Sequence, residues 1–126
     1  MNLTAEQIAK ANKFPHEDVP IEEWSGSVRV TTITAGQRDE YEDSIYSQDG
    51  DGVKVNRQMF RAKLLVHALV TEEGKRLYKS PEQIAALAAK PVQKLYEVAQ
   101  KLNGLGTAAQ QEIEKNSPGE GESTSS

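Results

Sequence analysis

The sequence predicts an α+β fold: a small, mostly helical domain with an N-terminal β-hairpin packed on a helical bundle, and a disordered C-terminal tail. Three observations point to it. Apolar residues alternate over His16–Thr34 around a central Ser25-Gly26, the period of a half-buried ribbon. From Asn56 to Leu105 they recur at helical spacing, punctuated by Ser80-Pro81 and by Pro91. From Asn116 to Ser126 there is no apolar residue, so that stretch cannot repay the entropy of ordering. The predicted boundaries are one domain over residues 1–115 and an acidic Ser/Gly-rich tail over 116–126.

Each element has a local reason. Thr4-Ala5-Glu6-Gln7 is a capping box that opens a short helix to about Lys13, with Leu3, Ile8 and Ala11 on one side; Pro15 stops it. Val19 and Ile21 alternate in the first hairpin strand, and Val28, Val30 and Thr32 in the second. Gly26 is expected to supply the positive φ of the connecting turn. The only tryptophan, Trp24, is expected to cover one face of the ribbon. Thr34 is a plausible N-cap for an acidic surface helix from Ala35 to about Tyr46, with Tyr41, Ile45 and Tyr46 as its narrow apolar stripe. Ser47–Val55 reads as an exposed turn. Asn56 caps the main helix, Asn56–Thr71, which is apolar nearly all round in its C-terminal half and therefore central in the core. Glu72–Tyr78 turns the chain and brings Leu77 and Tyr78 back as a short extended piece. Ser80, Pro81 and Gln83 start a helix that runs to about Ala89. Pro91 begins the last long helix, with Val92, Leu95, Tyr96, Ala99 and Leu102 on one face and Gly104 ending it. A further turn or two of helix is expected in Thr107–Lys115.

Composition limits the function classes. A chain of 126 residues with 37% hydrophobic content and a mean hydropathy of −0.65 builds a modest core under a polar surface. With no cysteine there is no disulfide framework, no cysteine zinc site and no thiol nucleophile. No apolar run has signal-peptide or membrane-span length, so a soluble, cytosolic protein is expected. Charge is zoned. Residues 1–53 hold four Lys/Arg against eleven Asp/Glu, residues 54–101 ten against four, and residues 102–126 one against four. A basic helical face suits an acidic partner, the chain's own acidic segments, or a second copy. Acidic N-terminal faces meeting the basic face of the next copy would build rings or filaments, an arrangement that predicts salt-sensitive oligomers.

No catalytic, cofactor or metal constellation stands out, and no enzyme activity is expected. His16 and His67 are isolated, and His67 reads as a packed histidine. There is no Gly-rich phosphate loop. Aligning Asp49-Gly50-Asp51-Gly52 as a calcium loop puts Ser47 first and Gln58 twelfth, where aspartate and glutamate belong. Pro81–Ala89 and Pro91–Asn103 have the outline of a helix-turn-helix that would present Lys90, Gln93, Lys94 and Glu97, but the junction lacks the usual glycine.

Five segments in order carry a resemblance. They are Val19-Pro-Ile-Glu-Glu-Trp-Ser-Gly-Ser-Val-Arg-Val30, Thr34-Ala-Gly-Gln-Arg-Asp-Glu-Tyr41, Arg61-Ala-Lys-Leu-Leu65, Leu69-Val-Thr-Glu-Glu-Gly-Lys-Arg-Leu-Tyr78 and Leu95-Tyr-Glu-Val-Ala-Gln-Lys-Leu-Asn-Gly-Leu105. Over roughly residues 3–115 the chain resembles the tail assembly chaperones of long-tailed bacteriophages and prophages. The resemblance implies a protein of the host bacterial cytoplasm that binds the tape measure protein and keeps it soluble. It also implies help in recruiting tail tube protein, and absence from the mature virion. Such families often make a longer form by ribosomal frameshifting. An apolar groove would cover the partner's exposed stripes. Its candidate residues are Trp24, Val28 and Val30 from the hairpin, with Tyr41, Ile45 and Tyr46 from the acidic helix. A helix-turn-helix-like DNA-binding regulator and a minor structural tail or connector protein are the alternatives.

Overall fold

The structure, a computed structural model, describes residues 1–105. The helical turns expected in 107–115 and the tail at 116–126 lie outside the described residues. The fold is α+β, with five helices and short antiparallel strands among the described residues.

Helix α1 (Ala5–Ala11) begins at the expected capping box, with Thr4 accepting from Gln7 N–H and Gln7 accepting from Thr4 N–H. No residue from Met1 to Asp18 is buried. Strands β1 (His16–Ile21) and β2 (Gly26–Thr31) pair from His16↔Thr31 to Ile21↔Gly26. In this register Val19, Ile21, Val28 and Val30 share the face turned to the core. Asp18 and Arg29 face each other on the opposite side. There the guanidinium donates to both carboxylate oxygens, at 2.8 and 3.0 Å, and to the Glu72 carbonyl. The turn corrects an expectation. Gly26 is an ordinary strand residue paired with Ile21, and the positive φ (54°) falls on Ser25, after a 3₁₀ turn at Glu22–Trp24. The connection is longer than Ser25-Gly26, so the left-handed position moves one residue upstream.

Helix α2 (Ala35–Ile45) starts at Thr34 with a second capping box, and buries Tyr41 and Ile45. The segment expected as a plain turn is a second hairpin, β3 (Tyr46–Asp49) with β4 (Gly52–Val55). Gly50 takes φ 62° at the first central position of its two-residue turn, where a tight hairpin needs glycine.

Helix α3 (Phe60–Ala68) is shorter than expected at both ends. Asn56 accepts from Gln58 N–H in a local turn rather than capping the helix. At the other end the chain leaves the helix without a loop. Leu69 and Val70 form strand β5, which pairs with Val30 and Arg29 and completes a sheet of order β1-β2-β5. A run apolar on all sides fits a buried helix and a buried strand alike, and tertiary pairing decides where one becomes the other. Seven of the nine α3 residues are buried, and the helix packs against α2, α4 and α5, which makes it the centre of the core.

After a turn in which Arg76 bridges Val70, helices α4 (Pro81–Ala85) and α5 (Ala89–Leu102) follow. The break falls at Ala86–Ala88, not at Pro91. Pro91 sits within the first turn of α5, where a missing N–H costs nothing. At the other end, Gly104 (φ 67°) donates to the Lys101 carbonyl, and the buried Leu105 donates to that of Gln100. This is a full Schellman cap. Asn103 then fastens the end of α5 to the sheet, accepting from Ile33 N–H at 2.8 Å and donating to the Thr31 and Ala99 carbonyls. No helix among the described residues is long and apolar enough to cross a membrane.

Two of the left-handed positions, Ser25 and Gly104, predict opposite responses. A left-handed non-glycine residue costs about 1–2 kcal/mol, and glycine's extra unfolded-state entropy offsets about 0.5–1 kcal/mol of the gain from relieving it. Gly104→Ala, with no neighbour within 4 Å to complicate it, should lose about 1 kcal/mol in urea unfolding. Ser25→Gly should gain up to about 1 kcal/mol. Equal responses at the two positions would show that backbone strain is not what distinguishes them.

Candidate functional site

The six predicted groove residues do not form a groove. Val30, Tyr41 and Ile45 are buried in the core, and Val28 and Tyr46 pack partly buried against it. Trp24 lies on the 3₁₀ turn at the hairpin tip and is 39% exposed. The reason is the sheet register together with the position of α3. A helix that packs on several neighbours at once draws the inner face of the sheet and the α2 stripe inward. Tyr41 illustrates this. Its phenol shares a hydrogen bond with Tyr96, and burial pushes both phenols above their ordinary pKa.

An apolar cleft of about 380 Å³ lies elsewhere, where the start of α3 meets α4 and the first turns of α5. Phe60, Ile84 and Val92 form its floor and are nearly fully buried; the half-buried Met59 and Leu87 stand at its mouth. It stays open because α4 and its flanks supply Ala85 and Ala89, side chains too small to fill it. Two arginines roof one side. The Arg61 guanidinium lies 4.4 Å from the Phe60 ring centroid and that of Arg57 lies 5.4 Å away, while Phe60 meets Tyr96 edge to face at 5.5 Å. Arg61 also donates to Gln93, which in turn donates to Glu97. The arrangement offers apolar contact in the floor and fixed positive charge at the rim, the complement of an apolar stripe with carboxylates beside it. Sequence reading missed this site. Its signal was present in Arg57, Met59-Phe60-Arg61 and the alanines of 85–89, but only the packing of α4 on α3 brings them together.

Three of the four residues the helix-turn-helix outline would present, Gln93, Lys94 and Glu97, make hydrogen bonds within the chain. Lys94 donates to the Pro20 carbonyl at 2.8 Å, Gln93 is held by Arg61, and α4 is only five residues long. In the Ser47–Gln58 segment, whose ends do not fit a calcium loop, Asp49 and Gly52 end and begin strands β3 and β4, with Gly50 and Asp51 as their turn.

His67 is 92% buried, being 8% exposed, as the histidine expected to pack in the core. Its Nε2 lies 3.6 Å from Glu40, and its Nδ1 has no hydrogen-bond partner among the described residues. Burial pushes its pKa below the ordinary value, against the pull of Glu40 and with the repulsion of Arg76. The folded chain therefore resists protonation that the unfolded chain accepts near pH 6.5. This stability is present above that pH and is lost as the pH falls through it. Urea midpoints should drop between pH 7.5 and 5.5, and His67→Leu should flatten the drop. A slope unchanged by that substitution would locate the titrating group elsewhere.

No protein family, curated protein or solved structure matches this chain.

Proposed function

We propose that this chain binds an apolar helix in the α3–α4–α5 groove, and that the helix belongs to the tape measure protein of a long phage tail. The groove is the observation that carries the reading. It is an open cleft with the half-buried Met59 and Leu87 at its mouth and Arg57 and Arg61 along one side, suited to a helix with apolar anchors and a flanking carboxylate. The choice of partner rests on the resemblance in the five segments between Val19 and Leu105, one of which contains Arg61.

On this reading the chain acts by covering. A free tape measure helix exposes apolar stripes that would otherwise find each other, and each anchor seated in the groove removes one such stripe from water. The complex forms in the host cytoplasm, before tail tube protein closes around the tape measure. The chain then leaves and is not carried into the mature virion. Binding and release suffice for this, so no bond-making step is invoked.

The reading predicts that co-expressed tape measure protein stays soluble and co-elutes with this chain. Leu87→Glu, at the mouth of the groove, should weaken the complex at least about tenfold, roughly 1.4 kcal/mol. Arg61→Glu should weaken it by less, and both effects are read by titration calorimetry. Tape measure protein that stays insoluble would count against the chaperone role. A complex lost on Trp24→Ala and untouched by Leu87→Glu would move the site to the hairpin tip.

A further inference from the structure

Asn103–Gly104 is the chain's only Asn-Gly pair. Asparagine before glycine readily loses its side-chain amide. Glycine has no side chain to crowd its own backbone nitrogen, and that nitrogen can attack the side-chain carbon of the asparagine. In this fold the same pair closes α5 and fastens it to the sheet. A reactive pair therefore sits where the helical layer is joined to the strands.

The folded geometry keeps the reacting atoms apart. Asn103 has ψ 8°, so the Gly104 nitrogen nearly eclipses Asn103's own backbone nitrogen. Cβ is another tetrahedral neighbour of the same Cα and stands a third of a turn away around the Cα–C bond. A five-membered ring through Cβ needs the Gly104 nitrogen nearly in line with it, so ψ must turn by about that third. The Asn103 side chain is held at both ends against this. Its Oδ1 accepts from Ile33 N–H at 2.8 Å, and its Nδ2 donates to the Ala99 and Thr31 carbonyls at 2.9 and 3.4 Å. The Gly104 N–H donates to the Lys101 carbonyl, and the buried Leu105 donates to that of Gln100. Turning ψ breaks this cap and draws Leu105 from the core.

We propose that Asn103 is a modification site guarded by the fold, which keeps its amide while α5 is docked and loses it irreversibly when the end of α5 opens. In the open chain the Gly104 nitrogen gives its proton to solvent and bonds to Asn103 Cγ. The Cγ–Nδ2 bond breaks, and Nδ2 leaves as ammonia with a proton from solvent. The cyclic imide then adds one water, which opens it at either carbonyl. One opening gives an aspartate, the other an isoaspartate whose main chain runs through Cβ. One water is consumed and one ammonia released, and nothing is oxidised or reduced.

The product cannot remake the fastening. A carboxylate still accepts from Ile33 N–H, but it has no hydrogen to give the Thr31 and Ala99 carbonyls. Its negative charge also lies at the C-terminal end of a 14-residue helix, where the aligned peptide dipoles disfavour it. In the isoaspartate the extra backbone carbon displaces Gly104 and Leu105 from the cap. A copy that has once opened and reacted therefore docks α5 less firmly and opens more readily.

The test warms the full-length chain at about pH 8, with and without guanidinium chloride, and samples it over days. Trypsin cuts after Lys101 and Lys115, so Asn103 is read by mass in the peptide of residues 102–115, apart from Asn116. Asn103 should convert at least about tenfold more slowly in the folded chain, because reaction waits for opening. The converted chain, separated by ion exchange on its added negative charge, should refold with a lower urea midpoint than the unconverted one. Asn103→Asp should show a similar deficit. Gly104→Ala should slow conversion in guanidinium severalfold by crowding the attacking nitrogen. An amide retained in guanidinium as well would overturn the site, and equal rates in folded and denatured chain would overturn the guarding. A rate in guanidinium that Gly104→Ala leaves unchanged would overturn the ring-closing route. An unchanged midpoint after conversion would overturn the loss of the fastening.

Discussion

The fold depends on the passage from α3 into β5 with no loop between them. Leu69 closes the helix, donating to the Leu65 carbonyl, and is at the same time the partner of Val30 in the sheet. One stretch of backbone thus fixes the distance and angle between the two layers. Arg76 supports the junction from outside by donating to the Val66 carbonyl, one of the carbonyls a helix end leaves unmet. Without β5, β1 and β2 would form a two-stranded ribbon, marginal in water. With it, the inner face of the sheet closes over α3 and α5, and Asn103 fixes the far end of α5 through three hydrogen bonds.

This arrangement explains why the surface offers an opening at the α4 end. The sheet, α2 and α5 claim the rest of the α3 circumference, and α4 is a five-residue helix that turns only Ile84 and Ala85 to the cleft. Phe60 lies at the exposed start of α3. It is covered from below by Tyr96 and from above by two guanidinium groups, which can lie on an aromatic face while keeping their charge in water. The rim charge is positioned by packing, so a bound carboxylate would meet it with little reordering.

Much of the element order was legible in the sequence, because caps and turn residues act locally. Thr4, Thr34, Pro81 and Gly104 mark helix ends wherever the rest of the chain goes. What failed was decided at a distance. Leu69-Val70 reads as helix until Arg29-Val30 offers a strand to pair with. Tyr46–Val55 reads as a loop because its strands are almost wholly exposed, so burial leaves no pattern, and only the turn at Gly50 betrays the hairpin. The candidate site was less legible still. Apolar periodicity marks which residues seek cover, and the core provided it for Val30, Tyr41 and Ile45. A groove is where cover is lacking, and that depends on how three helices meet.

The charge zoning of the sequence invites an electrostatic account of assembly, yet magnitudes favour an apolar one. Several cations that join the zones reach backbone carbonyls: Lys63 that of Ser44, Lys94 that of Pro20, and Arg29 that of Glu72. These contacts tie elements of one copy together. An exposed ion pair contributes about 0–1 kcal/mol and weakens with salt. A Leu or Ile side chain taken fully from water contributes about 1.5–3 kcal/mol. With Leu3, Ile8 and Phe14 each about half exposed, α1 and its flanks hold more recoverable free energy than any single surface pair.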